Sequence, residues 1–542
     1  AGQIVCIGSY SDVQPFITSN TEVVDLGGKF ILPAFGDDHC HIVDVGGEGL
    51  SFEHKADMTQ AEQFVKDTNQ QFPEYGGNMS YQDCIYTVTM DYAKKHPDEA
   101  VIVGFGYNPA FCTGEEAKTG LQKFRLDELG ENGPAIILYA YHCHELTANT
   151  KAMEMCNLTP YTPVPAGGDI MKDVNGEYLG AFRETAMCLI DIPFPVEAQM
   201  ASLKSFQQYY NSLGIVNVHN VSGNGFFPCP IEGAAEMEKN GELTIRLRCS
   251  SSISDSRLED DIKRAIEQNM MYQTEMFAVN TAKFFVDGYM YTIDDWVDIP
   301  DYHGSICWRD EETFKKAVAD LHFNDIQCHF HIFGDRSSRL NMDAIEEANI
   351  KYPNNNLRHS LAHIMFMRDE DKHRMGKYNC VAAMQPCWFM RFPDDYPTPY
   401  RMMVGDKINT EMYPYKSLDD AGATIACGSD FPISLTTNPI AAIQYGCTRE
   451  APKGYSDVDS LLMPEERVSL DKMIEAVTIN VAKENMAEDI TGSLEVGKFA
   501  DFVVLDQDLF KIDLYDIRNT NLLYTYLKGN VIYDASQADY SA

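Results

Sequence analysis

Two histidines spaced two residues apart, His39 and His41, stand in the stretch FGDDHCHIVD, just after the apolar run KFILPAF. Because side chains alternate along a strand, residues i and i+2 face the same way, so these two imidazoles are expected to point together. Two imidazoles at the end of a strand are suited to binding a metal ion. An isolated H-x-H also occurs by chance, so the interpretation depends on partners elsewhere in the chain.

Other polar residues stand in or at the ends of apolar, strand-like runs. Lys283 lies inside AKFFVDG, and His331, His363 and Asp430 lie at the ends of IQCHFHI, RHSLAH and ATIACGSD. Each alone has a plainer explanation, as a salt-bridge lysine, a core histidine or a turn-forming aspartate. Three or more imidazoles and a carboxylate from separate strands would together suit zinc or a similar divalent ion.

The runs that must position these residues recur along the middle of the chain, with helix-like segments between them. Strands buried on both faces and separated by helices are typical of parallel βα units, and eight units predict a closed (β/α)8 barrel of the α/β class. The active site of such a barrel lies at the carboxyl ends of its strands. The eight runs are FILPAFGDD, GIVNVHN, LTIRLRC, AKFFVDG, IQCHFHI, RHSLAH, CVAAMQP and ATIACGSD.

Three regions fall outside this alternation. Roughly 170 residues separate the first two runs, too many for one βα unit, so we expect an α/β insertion at about 45–210. The β-rich ends, 1–32 and 489–542, predict a small β-sandwich built from both termini, with the barrel over 33–488. A connection at roughly 386–422 is rich in aromatic residues and could either cover the barrel mouth or simply pack.

Charge and cysteine usage narrow the possible partners and location. The 542 residues include 43 basic and 81 acidic side chains, a formal net charge of −38, which argues against nucleic acid and anionic membranes as partners. The fifteen cysteines include no C-x2-C pair, which favours reduced thiols in a cytoplasmic protein. The opening AGQIVCIGSY is strand-like with no lead-in, so we expect the gene product to contain a preceding hairpin strand.

The motifs around these residues resemble the amidohydrolase superfamily of metal-dependent hydrolases, and within it amidohydrolase family 3, which includes N-substituted formamide deformylases and YtcJ-like proteins. GGKFILPAFGDDHCH is similar to the branch's GKxVxPGFxDxHxH, with Ala34 where glycine is usual. AKFFVDG resembles KxFxDG, HIFGD resembles HAIGD, and CGSDFPISLTTNP resembles GSDxPxxxxxP. The similarity extends to TGSLEVGKFADFVVLD, so it covers nearly the whole chain.

The resemblance implies a metal centre of one or two divalent ions per subunit, most simply Zn²⁺. In the family pattern the H-x-H pair and the final aspartate bind the more buried ion, the other two histidines bind the second ion, and a carbamylated lysine bridges both. Carried onto this sequence, the ligands are His39, His41, Lys283, His331, His363 and Asp430.

Two details qualify this assignment. His329, two residues before His331, faces the same way and could compete as a ligand, but the family motif places the ligand directly before IFGD. The branch usually has glutamate at Ala362, and small residues where this chain has Tyr289 and Met290. These departures leave the ligand set intact, but they argue against assigning the substrate of another family member to this chain.

The function implied is hydrolysis of a C–N bond in an amide, formamide, ureido compound or cyclic amide of small size. Asp430 would bind the metal through one oxygen and act as the catalytic base through the other. His144, Tyr289 and Trp388 are candidate substrate contacts, although simple packing explains His144 equally well. Alternatives are a deaminase using the same site or, less favoured, a non-catalytic regulatory relative. A homodimer is compatible with the resemblance.

Overall fold

The computed structural model of the protein describes residues 2–42, 50–52, 58–130, 132–221, 229–288, 306–391, 405–434, 436–451 and 460–537. Tyr289 and Met290 therefore lie outside the described residues, as do 392–404 of the aromatic connection. In chain order the strands are β1 (Phe30–Pro33), β2 (Phe35–Cys40), β3 (Leu50–Ser51), β4 (Val101–Tyr107), β5 (Ala135–Ala140), β6 (Glu145–Ala148), β7 (Asp169–Lys172), β8 (Tyr178–Arg183), β9 (Ile215–Asn220), β10 (Arg246–Ile253), β11 (Phe277–Phe285), β12 (Gln327–Ile332), β13 (Ser360–His363), β14 (Val381–Met384), β15 (Thr424–Cys427), β16 (Phe502–Leu505), β17 (Leu522–Leu527) and β18 (Asn530–Asp534).

Helices alternate with most of these strands. None of those in the described ranges is long and apolar enough to cross a membrane. The α-helices are Tyr10–Val13, Met58–Gln71, Tyr81–Lys95, Glu116–Thr119, Lys123–Leu126, Thr150–Met155, Val196–Ser212, Ile231–Lys239, Leu258–Met271, Glu311–Phe323, Asp335–Lys351, Asp369–Lys377, Tyr415–Asp420, Pro439–Thr448, Leu470–Ala476 and Ile479–Glu484.

An eight-stranded parallel sheet in the order β2-β9-β10-β11-β12-β13-β14-β15 forms the centre of the fold. The last strand returns to the first, because Asp430 N donates to His39 O at 2.7 Å and His41 N donates to Phe431 O at 2.8 Å. The predicted (β/α)8 barrel is confirmed. The same two bonds place the H-x-H pair and Asp430 next to each other.

The pattern of β12 explains how the barrel holds polar side chains. All six residues of QCHFHI are buried. Cys328, Phe330 and Ile332 belong to the main apolar cluster of the molecule. Since successive side chains point to opposite faces of a strand, His329 and His331 point into the barrel. The apolar half of the strand supplies the packing, and the other half supplies the chemistry.

A second, mixed sheet in the order β3-β4-β5-β6-β8-β7 lies between β2 and β9 in the chain. This agrees with the expected α/β insertion. Helix Val196–Ser212, at the end of the range predicted for the insertion, buries Phe206 and Tyr210 in the cluster that contains the barrel core. That helix therefore packs with the barrel, and the domain limits themselves stay a prediction.

Strands from both ends of the chain form a four-stranded antiparallel sheet, β1-β16-β17-β18. In the described residues it is one layer rather than two facing layers. QIVCIG contributes a single bridge, from Gln3 to Phe499, and TEVVDL forms no strand. The physical reason is lack of cover, since Val5 and Val23 are 66% and 67% exposed.

A buried ion pair joins the barrel to this terminal sheet. Arg246 Nη1 on β10 lies 2.5 Å from Asp501 Oδ2, with both side chains 2% exposed. Asp501 also accepts from Thr491 Oγ1 at 2.7 Å and from Lys528 N at 2.8 Å.

Asp501→Ala should lower the free energy of unfolding by about 3 kcal/mol, because it leaves the buried Arg246 guanidinium with only the partly exposed carboxylate of Glu275, 3.4 Å from Nη2, as a countercharge. Urea unfolding followed by circular dichroism measures the change. Asp508→Ala, which breaks an ion pair with the exposed Lys511 in the same region, is the matched control and should leave the transition unchanged. Equal transitions for both variants would contradict the expectation.

Candidate metal centre

The H-x-H pair and Asp430 form the core of the candidate site. His39 Nε2 and His41 Nε2 lie 3.4 and 3.2 Å from the same atom, Asp430 Oδ1. All three side chains are buried. Two imidazole nitrogens and one carboxylate oxygen thus converge on a single point at the carboxyl ends of the first and last barrel strands.

Two more predicted ligands join this core. The rings of His39 and His363 are 4.8 Å apart between centroids, and those of His363 and His331 are also 4.8 Å apart. His39, His363 and Asp430 offer ligand atoms that all lie within 4.8 Å of one another. Histidines from the first, fifth and sixth barrel strands therefore lie together near Asp430.

Lys283 completes the predicted set from the fourth barrel strand. Its Nζ lies 5.0 Å from the centre of the Phe285 ring, which in turn lies 5.1 Å from the His331 ring. Burial lowers the pKa of Lys283 to about 7, although the negative charge of Asp430 acts in the opposite direction. At neutral pH a large share of this amine is therefore uncharged, which is the nucleophilic form of a lysine.

The polar atoms of these residues fit a bound cation. Within the described part of the chain, His39 Nε2, Lys283 Nζ and His331 Nε2 are buried and make no hydrogen bond. Buried polar atoms without partners are costly, and those of a native site usually have an explanation. Imidazole nitrogens and a carboxylate oxygen are the ligands that Zn²⁺ and related ions prefer.

The protonation states agree with this fit. Burial lowers the pKa values of His39, His41 and His331 below the usual range, and that of His363 to about 4. These histidines are therefore neutral at physiological pH. Neutral imidazole is the form that binds a metal.

Gln385, which the sequence analysis missed, orients one of these imidazoles. His363 Nδ1 lies 2.8 Å from Gln385 Oε1, and Gln385 Nε2 donates to Ala383 O at 3.2 Å. The amide oxygen accepts, so Nδ1 carries the proton and Nε2 of His363 keeps its lone pair. The signal was present, because Gln385 follows the apolar run VAAM just as the predicted ligands follow theirs.

Gln385→Leu should weaken metal binding by about 10–100-fold, because losing a partner of a ligand histidine frees its tautomer and orientation. Competition with a chromogenic chelator measures the affinity. Gln385→Glu keeps an acceptor for His363 Nδ1 and should bind nearly as tightly as the parent protein. Equal affinities for the leucine and glutamate variants would count against this role.

The backbone is strained at two of the predicted ligands. His363 has φ of 72° and Asp430 has φ of 51°, in the left-handed region. For a residue with a Cβ atom this conformation costs about 1–2 kcal/mol. Such strain clusters at functional sites, where the surrounding structure holds the residue in place.

Asp37, which the sequence analysis also missed, anchors the loop that carries Asp430 through hydrogen bonds. Its carboxylate accepts from Ser429 N at 2.9 Å, Ser429 Oγ at 2.5 Å and Tyr210 OH at 2.9 Å. Burial raises the pKa of Asp37 to about 6, while the hydrogen bonds from Ser429 and Tyr210 oppose the rise. Its place in GFxDxHxH was the available signal, since it stands two residues before His39.

Two of the three predicted substrate contacts border the centre. The His144 ring lies 5.5 Å from that of His331, and His144 Nδ1 lies 2.9 Å from Glu184 Oε2. Trp388 stacks on His363 with centroids 5.3 Å apart, and its Nε1 donates to Ser434 Oγ at 2.8 Å. Their contact with substrate stays a prediction.

The position of His329 supports the choice of His331 as the ligand. His329 Nε2 lies 2.8 Å from His39 Nδ1, and its Nδ1 lies 3.2 Å from Glu484 Oε1. Both ring nitrogens of His329 are thus engaged, whereas His331 Nε2 makes no hydrogen bond in the described part of the molecule. Glu484 carried no sequence signal, because it lies at the end of a short helix, 155 residues from His329.

Comparison with known proteins confirms the predicted family resemblance. The sequence model of the amidohydrolase family matches residues 22–533. The protein LONG AFTER FAR-RED 3 of Arabidopsis thaliana is 23% identical over 98% of this chain and 87% of its own length. The N-substituted formamide deformylase of Arthrobacter pascens is 22% identical over 98% and 94%. A metal-dependent hydrolase of Pyrococcus horikoshii has a similar fold, with a TM-score of 0.68 at 18% identity over 95% of this chain and 93% of that one.

Proposed function

Because the chain belongs to the amidohydrolase family, we propose that it is a metal-dependent hydrolase that cleaves a C–N bond of a small molecule. The substrate classes are amides, formamides, ureido compounds and cyclic amides. The observation that carries the proposal is the convergence of His39 Nε2 and His41 Nε2 on Asp430 Oδ1. The deformylase of Arthrobacter pascens, similar over nearly its whole length, favours testing formamides first.

The proposed ligand roles are those that the family resemblance implies. His39, His41 and Asp430 would hold one ion, His331 and His363 a second, and Lys283 would bridge them as a carbamate. A divalent ion bound there, most simply Zn²⁺, lowers the pKa of water and polarises the carbonyl group that is attacked.

Asp430 is the proposed catalytic base. Its carboxyl group is buried, and a cation held between it and the imidazoles of His39 and His41 would keep it ionised at neutral pH. With Oδ1 facing the imidazoles, Oδ2 would accept the proton of the attacking water. Asp430 would then deliver that proton to the leaving nitrogen.

Lys283 is expected to carry a carbamate. Its neutral amine would attack the carbon of CO₂, forming a C–N bond as one C=O π bond opens, and the nitrogen would then lose one proton to solvent. The product, a carbamate, is an anion able to bridge two cations. Protein supplied with ¹³C-bicarbonate and Zn²⁺ should show a carbamate resonance by ¹³C NMR, and Lys283→Met should lose it. Identical spectra for the two proteins would rule the modification out.

The departures from the family pattern would shape the substrate pocket. Ala362 pairs with His331 across β12 and β13, so both side chains lie on the same face. A methyl group there, in place of the branch's usual carboxylate, would leave room beside His331 for part of the substrate. His144, Trp388 and Tyr289 are the proposed walls of that pocket.

Product analysis over a substrate panel tests the proposed function. Metal-loaded protein is incubated with N-formyl, N-acyl, ureido and cyclic amide compounds, and with cyclic and exocyclic amines. Formation of an amine together with a carboxylic acid supports the proposal. Release of ammonia from an amine substrate would indicate a deaminase, and no turnover at full metal occupancy would indicate a regulatory relative.

A cytoplasmic location and a homodimer stay predictions.

A further inference from the structure

A chain of buried polar groups leads away from the candidate metal centre into the barrel. His39 Nδ1 lies 2.8 Å from His329 Nε2, and His329 Nδ1 lies 3.2 Å from Glu484 Oε1. All three residues are 0% exposed. Glu484 Oε1 also accepts from Ser360 Oγ at 2.6 Å. The hydrolysis proposed above assigns no work to His329 or Glu484.

Glu484 joins this series of hydrogen-bonded groups from the end of the barrel opposite the candidate centre. It is the last residue of helix Ile479–Glu484, and its backbone carbonyl accepts from Gln327 Nε2 at 3.2 Å. Gln327 is the first residue of β12, while His331 lies near the other end of that strand. The carboxylate therefore enters the barrel from the amino ends of the strands and contacts His39 through His329.

We propose that Glu484 and His329 are positioning residues that fix the tautomer of His39, an inference that rests on the proposed metal centre. A carboxylate only accepts hydrogen bonds, so His329 Nδ1 is the donor to Glu484. Complete burial favours the neutral form of His329, so its lone pair lies on Nε2, and His39 Nδ1 must be the donor to it. The lone pair of neutral His39 is left on Nε2.

This assignment places the lone pair where a cation would need it. His39 Nε2 lies 3.4 Å from Asp430 Oδ1 and makes no hydrogen bond in the described part of the chain. A lone pair and a carboxylate oxygen facing each other repel unless a cation lies between them. Hydrogen bonds to the second nitrogen of a ligand imidazole set its tautomer and orientation in the same way in other metal sites.

The same atoms could instead suggest a second ion, because His219, His329 and Glu484 offer ligand atoms within 4.8 Å of one another. The positions of the ring protons argue against an ion bound by His219, His329 and Glu484. An ion on His329 Nδ1 would require the proton on Nε2, which would then donate to His39 Nδ1. The proton of His39 would move to Nε2, so neutral His39 would not bind the catalytic ion. The two ion sites exclude each other, and we assign the cluster a positioning role.

Metal affinity tests the inference without requiring activity. Zn²⁺ affinity is measured by competition with a chromogenic chelator on the full chain, and circular dichroism reports folding. Glu484→Met removes the acceptor and should weaken binding by about 10–100-fold. Glu484→Gln retains an amide oxygen for His329 Nδ1 and should recover most of the affinity. Glu466→Met removes a buried carboxylate that accepts from Ser417 N at 2.9 Å outside the barrel, and should bind like the parent.

His329→Phe provides a second test if Glu484→Met does not fold. It removes the imidazole that contacts His39 and should weaken Zn²⁺ binding to a similar extent. Parental affinity in whichever of these two variants folds would overturn the inference. Loss of one whole ion from Glu484→Met, with the remaining ions bound as before, would mark Glu484 as a ligand and also overturn it. A parent protein that binds no Zn²⁺ would instead refute the proposed function.

Discussion

His39→Ala should abolish hydrolysis. The variant removes the imidazole that approaches Asp430 Oδ1 and His363 at the centre of the site. Metal ions supply several kcal/mol of transition-state stabilisation, so kcat/KM should fall by about 10³–10⁴-fold or to the detection limit. The measurement is steady-state kinetics on the best substrate of the panel, with the metal content of each preparation determined in parallel.

His322→Ala is the matched control for losing a buried histidine. His322 lies on helix Glu311–Phe323, outside the barrel, and its ring nitrogens lie 2.9 Å from His359 Nε2 and 2.6 Å from Tyr352 O. This variant should keep its metal and its activity even if it unfolds at a lower temperature. A folded His39→Ala protein with parental activity would show that hydrolysis does not depend on His39.

Asp430→Asn should lower kcat by about 10²–10⁴-fold, the usual contribution of a general base. Asparagine preserves the shape of the side chain but takes no proton from water at neutral pH. KM should change much less than kcat, because the pocket walls remain. Steady-state kinetics with metal-loaded protein separates the two parameters.

Asp371→Asn provides the control for Asp430→Asn. Asp371 is 1% exposed and pairs with Arg374 at 2.8 Å on the helix that follows β13, away from the barrel interior. Its activity should equal that of the parent. An Asp430→Asn protein with full metal content and more than about a tenth of the parental kcat would be incompatible with Asp430 as the base.

Much of the barrel was predictable because each of its strands has a local signal. IQCHFHI was predicted as a strand and is observed as Gln327–Ile332. FILPAFGDD was predicted as one strand but divides after Pro33: β1 pairs with β16 near the C-terminus, and β2 enters the barrel. The apolar run is continuous across this division, so the hydrophobic pattern does not mark the change of sheet; Pro33, at the end of β1, is the residue that does.

The candidate site was predictable where a polar side chain interrupts an apolar strand. His39, His331, His363 and Asp430 have this signature, and the structure brings them together. Glu484 does not have it, because an acidic residue in a helix is ordinarily solvated. Its role depends on a helix end docking under the barrel, a contact between parts of the chain 155 residues apart.

The most direct test of the account is the metal content of the purified protein by inductively coupled plasma mass spectrometry. The parent chain and a His39→Ala/His41→Ala double variant are supplied with Zn²⁺ or Mn²⁺ and then dialysed. We predict one or two tightly held divalent ions per parent chain and a loss of at least one ion from the folded double variant. A parent chain that retains no stoichiometric ion, or a double variant that retains as much metal as the parent, would contradict the account.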